Sequence, residues 1–362
     1  MDTDIRTFII AEAGVNHNGD LTLAKQLIEV ASEAGVDAIK FQTFCAEQVV
    51  SCSAPKAVYQ TRTTDQAESQ LEMIRKLELT EPDHELLIAY AKTRHITFLS
   101  TPFDISSLYL LTKRFGLQTI KIPSGEITNA PFLLAIARAA PRVILSTGMS
   151  MLAEVEAALG VLAFGFTAMA TAMPKSGDFE RAFASDRGQK ELRERVTLLH
   201  CTTEYPAPFD EVNLRAMDTL AKVFGLSVGY SDHTSGIHIS LAAVARGAKI
   251  IEKHFTLDRN LPGPDHKASL EPNELRELVR QIREIEQSFG DGTKRPTSSE
   301  WKNRAVVRKS LVAATGIKAG ERFTKENLTC KRPGAGVSPF VYWQMLNQIA
   351  TRAYFPDEAL DD

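Results

Sequence analysis

The sequence predicts an α/β protein, a (β/α)8 barrel followed by a small, mostly β domain. Three observations carry this reading. Eight short apolar runs recur up to Ile251: Phe8–Ile10, Ala38–Phe41, Thr97–Leu99, Thr119–Ile122, Val143–Leu145, Val196–Leu199, Leu226–Gly229 and Lys249–Ile251. Helix-like stretches lie between most of them, the alternation expected of successive βα units. At the end of each run stand residues able to do chemistry: Glu12, Lys40, Thr101, Lys121 with Ser124, Ser146, His200, Ser231 with Asp232 and His233, then Glu252 with His254. In a (β/α)8 barrel the active site is assembled from the C-terminal ends of the strands. The eight segments therefore point at one pocket.

The first helix is marked by Leu21, Leu23, Ala24, Leu27, Ile28 and Ala31 at helical spacing, with Gly35 as its C-terminal stop. The same rhythm predicts helices over Glu81–Lys92, Ser106–Phe115, Pro131–Ala139, Met151–Leu162, Leu214–Phe224, Gly236–Arg246 and Pro272–Phe289. Two intervals exceed what a βα unit needs. Cys45–Leu79 holds Tyr59, Arg62 and a polar helix around Glu68–Lys76, and Gly165–Glu194 is charged with few large apolar residues. Long βα loops either shape the pocket or form an interface; the alternative is a surface excursion. Val161–Met173 is too short to span a bilayer and is expected as a buried helix. The stretch Gly290–Glu300 is rich in turn formers and reads as a linker over 290–302. Beyond it, Ser310–Ala313 and Leu328–Lys331 read as short strands, and Ile317–Gly320 and Arg332–Gly336 as turns. The organisation is thus a barrel over 1–289 and a small domain over 303–362. The latter is below the size at which a lone core is comfortably stable, so it is expected to pack on the barrel or on a neighbouring subunit.

With 44% apolar and 24% charged residues among 362, the composition is that of a soluble globular protein. A net charge of −3 gives no general reason to bind nucleic acid or an anionic membrane. The four cysteines, Cys45, Cys52, Cys201 and Cys330, form no CxxC pair. A cytoplasmic location is expected, since the segment Met1–Arg6 also lacks a signal-peptide layout.

The polar residues at the run ends fall into three groups. Lys40, Lys121, Ser124, Ser146 and Ser231 form a cationic, hydroxyl-rich set. Inward lysines either pair with acids such as Glu12 and Glu126 or hold an anionic ligand such as phosphate. His233 and His254 close adjacent strands and are placed to share a divalent metal; the alternative is two hydrogen-bonded histidines. Glu12 can act as a general base or orient water, or serve only as a partner to Lys40. After the sixth and eighth runs, Thr203, Glu204, Tyr205 and Asp265 can bond a polyhydroxylated substrate or be ordinary loop residues.

Taken together, several segments resemble the sialic acid synthase family, the N-acetylneuraminate and related nonulosonate synthases. They are Ile10 to Gly19 (IAEAGVNHNG), Lys40 to Thr43, Ser100 to Phe103, Lys121 to Glu126, Ser146 to Met149, His200 to Thr202, Tyr205-Pro206, Tyr230 to His233, Glu252 to Thr256 and Gly263 to His266. The ending, with Lys331-Arg332-Pro333-Gly334, is similar to the antifreeze-like (SAF, β-clip) domain of these enzymes. The resemblance implies a phosphoenolpyruvate-dependent transferase that forms a C–C bond. It would join phosphoenolpyruvate to an N-acylated amino sugar in its aldehyde form, giving a nine-carbon 2-keto sugar acid and phosphate. It further implies that Lys40, Thr101, Lys121, Ser124, Ser146 and Ser231 hold phosphoenolpyruvate, and that Glu12 is catalytic. His233 and His254 would bind Mn²⁺, with Mg²⁺ and Co²⁺ as alternatives. Gln42, Thr203, Tyr205, Asp265 and Arg332 would contact the sugar, Arg332 from the partner subunit of a domain-swapped homodimer. Many members have Asn where this chain has Thr203. N-acetylmannosamine, giving N-acetylneuraminate, is the first expectation for the acceptor. A 2,4-diacetamido-6-deoxymannose, giving legionaminate, or its altro counterpart, giving pseudaminate, is the alternative.

Overall fold

The computed structural model describes residues 6–57, 60–61, 64–65 and 67–361. The expected loop residues Tyr59 and Arg62 lie outside the described residues. The chain divides after Phe289 into two compact units.

The first unit holds eight parallel strands: β1 (Phe8–Gly14), β2 (Ala38–Thr43), β3 (Thr97–Pro102), β4 (Thr119–Ile122), β5 (Arg142–Ser146), β6 (Val196–His200), β7 (Ser227–Asp232) and β8 (Ile250–His254). Their order, β3-β2-β1-β8-β7-β6-β5-β4, wraps the sheet around so that β3 and β4 lie side by side. This is the (β/α)8 barrel, with helices outside.

Strand periodicity explains which residues face where, because successive side chains alternate between the two faces. Ile10, Ala38, Leu99, Ile144, Leu199 and Ile250 meet in a small apolar cluster inside the barrel. Their neighbours of opposite parity, such as Ile9, Ile39, Phe98 and Ile251, join the large core under the helices. The register sets Ile10 beside Ala38 and Glu12 beside Lys40, so the inward residues form layers.

Helix Leu21–Ala34 shows how local sequence fixes an element. Asp20 accepts from the N–H groups of Thr22 and Leu23, at 2.6 and 3.3 Å. Gly35 ends the helix in the left-handed region at φ 79°. The stripe Ala24, Leu27, Ile28 and Ala31 is buried against the barrel core.

The long interval 165–194 folds as Asp178–Ala184 and Asp186–Arg195 against helix Leu152–Thr167. That helix stops at Thr167. Contrary to the expected buried helix over Val161–Met173, Met169 and Met173 are exposed, because the helix ends before them at Thr167. Among the described residues, no helix is long and apolar enough to cross a membrane.

The second unit covers Gly290–Asp362. The expected linker is in part regular, since helix Ser298–Val307 crosses the anticipated boundary at Asn303. Thr297 and Glu300 form a capping box that starts it. Strands β9 (Ser310–Ala313) and β10 (Leu328–Lys331) pair antiparallel over a core of Leu311, Ile317, Phe323, Val337, Tyr354 and Leu360.

Two histidines lock the loops above β1 and β8. His17 Nδ1 accepts from the Gly19 N–H at 3.0 Å. His266 accepts from Thr256 Oγ1 at Nδ1, at 2.7 Å, and donates from Nε2 to Asn18 Oδ1 at 3.2 Å. Burial lowers both from the ordinary 6.5 to about 4. The unfolded chain then binds protons that the folded chain refuses, so stability is intact above pH 6.5 and falls as pH drops toward 4. The denaturant midpoint should decline between pH 7 and pH 5, and decline less steeply in His17→Gln. Equal slopes in the two proteins would remove His17 as a cause.

Candidate active site

The mouth of the barrel, at the C-terminal ends of the strands, encloses a cavity of about 320 Å³. Directly above the apolar inner layer, on the same inward parity, stand Glu12, Lys40, Thr101, Lys121, Ser146, Cys201, Ser231 and Glu252. One alternation rule thus supplies a dry floor and a polar layer above it.

The charged members are buried and paired. Lys40 contacts Glu12 directly and lies 3.6 Å from Glu252, while Lys121 lies 3.4 Å from Glu252. Lys40 Nζ also donates to Thr101 Oγ1 at 3.0 Å, and Ser231 Oγ to Glu252 Oε1 at 2.8 Å. The acids are driven apart. Burial, with Glu252 close by, raises Glu12 to about 7 despite Lys40. Glu252 overcomes its own burial because Lys121 and Lys40 flank it, and sits at about 2. Burial lowers Lys121, whereas the two acids outweigh burial and raise Lys40. A protonated Glu12 leaves this cluster with two cations and one anion, a setting suited to an added anion.

Both lysines therefore pair with acids, but the second acid is Glu252 and not Glu126. Glu126 accepts from Asn129 Nδ2 at 2.7 Å within its own turn, one helical step beyond the strand end. Glu252 was legible only as a strand-end residue. Its inward parity, two residues before His254, is the signal that singles it out.

The hydroxyl set lies beside the lysines. Ser124 opens the short turn after β4, and its Oγ is 3.2 Å from Thr203 Oγ1. Gly148 makes room for that contact: a Cβ there would collide with Thr203 Oγ1 and lie 2.9 Å from Cys201 Sγ. Thr203, expected on the sugar, thus also braces Ser124. Ser146 Oγ is buried with no hydrogen-bond partner among the described residues. Cys201 is kept a neutral thiol by burial.

His233 and His254 face each other with ring centroids 5.6 Å apart. His233 Nδ1 donates to the Thr202 carbonyl at 2.6 Å, which leaves the Nε2 lone pair directed to the cavity side near Ser231. Burial lowers His233 to about 4 and His254 well below its ordinary range, so both are neutral imidazoles. His254 Nδ1 is a buried nitrogen without a hydrogen-bond partner among the described residues, 3.9 Å from the Asp265 carboxylate. Asp265 is itself raised to about 6 by burial. Neutral imidazoles with an orphaned nitrogen and an oriented second nitrogen fit a borderline divalent cation. The Tyr205 ring packs against His233 with centroids 4.2 Å apart and planes tilted by 32°. Gly14, at φ 53°, leaves space that Glu12, Gln42 and His254 border: a Cβ there would lie 3.2 Å from Glu12 Oε1, 3.5 Å from Gln42 Nε2 and 3.6 Å from His254 Cε1. A second group, Cys45, Glu47 and Glu78, also converges, but Arg75 engages Glu47, and Glu78 accepts from the Ala46 N–H.

Three strand-end residues leave the cavity. His200 has outward parity and bonds the Val212 carbonyl at 2.7 Å. Asp232 and Lys253, also outward, form a buried ion pair of 3.1 Å behind the wall, which Ser240 and Thr234 complete. Glu204 is exposed. Arg332 follows β10 in the second unit and is exposed. Of the two long intervals, 45–79 lines the cavity and 165–194 contributes nothing to it.

Fold and site together define a barrel protein with a buried set of lysines, acids and hydroxyls at its mouth. Its kinship is specific: residues 27–294 match the NeuB family and residues 308–361 the SAF domain, and the chain belongs to the NeuB family. An N,N′-diacetyllegionaminic acid synthase of Campylobacter jejuni is 55% identical over 98% of this chain and 99% of its own. A synthase of the same description from Legionella pneumophila is 46% identical, over 92% and 87%. The crystal structure of an N-acetylneuraminic acid synthetase from Leptospira borgpetersenii superposes with a TM-score of 0.66 at 34% identity, covering 82% of this chain and 90% of that one.

Removing the carboxylate between the lysines should destabilise the barrel. Glu252→Gln is expected to cost about 3–5 kcal/mol, read as a lower unfolding temperature, with millimolar phosphate restoring more of the loss than it adds to the wild type. No greater phosphate effect in the variant would show that the lysines do not seek an anion.

Proposed function

We propose that the chain is an N,N′-diacetyllegionaminic acid synthase. It condenses phosphoenolpyruvate with 2,4-diacetamido-2,4,6-trideoxymannose and water to give N,N′-diacetyllegionaminate and phosphate. The observation that carries the reaction type is the buried row of lysines, acids and serines beside two neutral histidines. The acceptor follows from kinship. Relatives described as legionaminic acid synthases share 55% and 46% identity with this chain, against 34% for the sialic acid synthetase. The order expected from sequence, with N-acetylmannosamine first, is reversed.

Lys40, Lys121, Thr101, Ser124, Ser146 and Ser231 would bind the phosphate and carboxylate of phosphoenolpyruvate. His233 and His254 would hold a divalent cation, Mn²⁺ by preference, which supplies Lewis-acid polarisation of the acceptor aldehyde. Gln42, Thr203, Tyr205 and Asp265 orient the sugar. C3 of phosphoenolpyruvate bonds to the aldehyde carbon, and the aldehyde oxygen becomes a hydroxyl by taking the proton that Glu12 carries, which leaves Glu12 as a carboxylate. Positive charge develops at C2, where Glu12 stabilises it and accepts a proton from the attacking water. A carboxylate poised near 7 suits that exchange. The C2–O bond to phosphate then breaks, and phosphate leaves with the bonding electrons as C2 becomes the ketone.

Phosphate release with Mn²⁺ should occur with the diacetamido sugar in preference to N-acetylmannosamine and should stop with EDTA. Glu12→Gln should lower kcat about 10²–10⁴-fold. Folded, manganese-loaded protein that releases phosphate with neither sugar would overturn the assignment.

We also propose that the active assembly is a cytoplasmic, domain-swapped homodimer in which the partner subunit's Arg332 reaches the acceptor. The four free thiols suit a reducing compartment. Mixing Glu12→Ala with Arg332→Ala should restore part of the activity. Absence of recovery after demonstrated subunit exchange would exclude shared sites.

A further inference from the structure

We infer that an apolar wall on the segment between β2 and β3 reads the C6 end of the acceptor, through Val49, Val50, Met73, Ile74 and Leu77. The inference rests on the acceptor reading above and specifies which part of the site selects it. These side chains line the same cavity as Lys40 and His254, yet none belongs to a strand. Among the described lining residues of this segment, the polar ones are the amides Gln60 and Gln70, and none is charged. Within the wall, Val49 is exposed, Val50 and Ile74 are half-buried, and Met73 and Leu77 are buried.

The wall is held in place. Helices Ala46–Val49 and Gln70–Arg75 are tied by Arg75 to Glu47 at 2.6 Å and by the Ala46 N–H to Glu78. Ser69 and Glu72 cap the second helix. Gly19, at φ 76°, lets the loop after β1 press on this segment, since a Cβ there would collide with the Lys76 carbonyl. Gln42, which approaches the same Gly14 as the His254 ring, stands where the segment begins. A sugar whose aldehyde is at the histidines and Glu12 and whose chain passes Gln42 therefore runs its far end toward these apolar residues.

The chemistry of the wall matches a methyl group at C6. A methyl there exchanges water for apolar contact. A hydroxymethyl set against Val49, Val50, Met73, Ile74 and Leu77 would lose its water partners to carbons that offer no hydrogen bond, and a 6-phosphate would meet no cation among the described lining residues of this segment. An apolar site rejects an added hydroxyl by up to about 10²-fold.

The test compares 2,4-diacetamido-2,4,6-trideoxymannose with 2,4-diacetamido-2,4-dideoxymannose, which differ by one oxygen at C6. The wild type should favour the deoxy sugar by about 10–100-fold in kcat/KM. The variant Val50→Thr/Ile74→Thr, verified as folded by circular dichroism, should reduce that ratio about tenfold. Equal rates in the wild type, or an unchanged ratio in the variant, would overturn the wall. A wild type that turns over neither sugar would instead count against the reaction, and saturation-transfer NMR with the deoxy sugar then judges the wall alone. Strong transfer to the C6 methyl, weakened in the variant, would support it, and absence of transfer to that methyl would overturn it.

Discussion

Four ionisable groups in a dry barrel mouth are tenable only as a set. Each of Glu12, Lys40, Glu252 and Lys121 carries a desolvation penalty of several kcal/mol that its neighbours must offset. The register of β1 against β2 sets Glu12 opposite Lys40, and β8 brings Glu252 between the two lysines. A slip of one residue in any of these strands would turn its charge into the layer under the helices. The parallel register is therefore fixed from inside by charge as well as from outside by packing. The same pairing divides the acids into one that stays ionised and one that exchanges a proton near neutrality.

A second ion pair supports the first from behind. Asp232 and Lys253 are chain neighbours of Ser231 and Glu252, and opposite parity sends them to the other side of the wall. There Asp232 accepts from Ser240 on helix His238–Ala245, which fastens β7 to its own following helix. Along these two strands, one residue faces the cavity and the next fastens the strand.

Most of this was legible because strand ends in a barrel converge, whatever lies between them. The eight runs located the strands, and Glu12, Lys40, Thr101, Lys121, Ser146 and Ser231 meet in one cavity as that rule requires. Parity within a strand end was harder to read. His200 looked equivalent to His254, yet one residue of offset turns it outward. Packing contacts without local pattern escaped altogether, among them the space that Gly148 leaves for Thr203. So did the end of the buried helix at Thr167, where composition continued apolar but the surroundings did not.

The barrel mouth and its apolar wall come from different kinds of chain. Residues that would handle phosphoenolpyruvate are spread over strands from one end of the sheet to the other, so no single exchange of sequence could replace them together. The wall is one continuous stretch between β2 and β3, closed by its own caps and ion pairs. A descendant could swap that stretch whole, by recombination or by a few substitutions, and present a new sugar to unchanged chemistry. Diversity in the acceptors of such barrels would then accumulate in a single loop, while the strand ends stayed still.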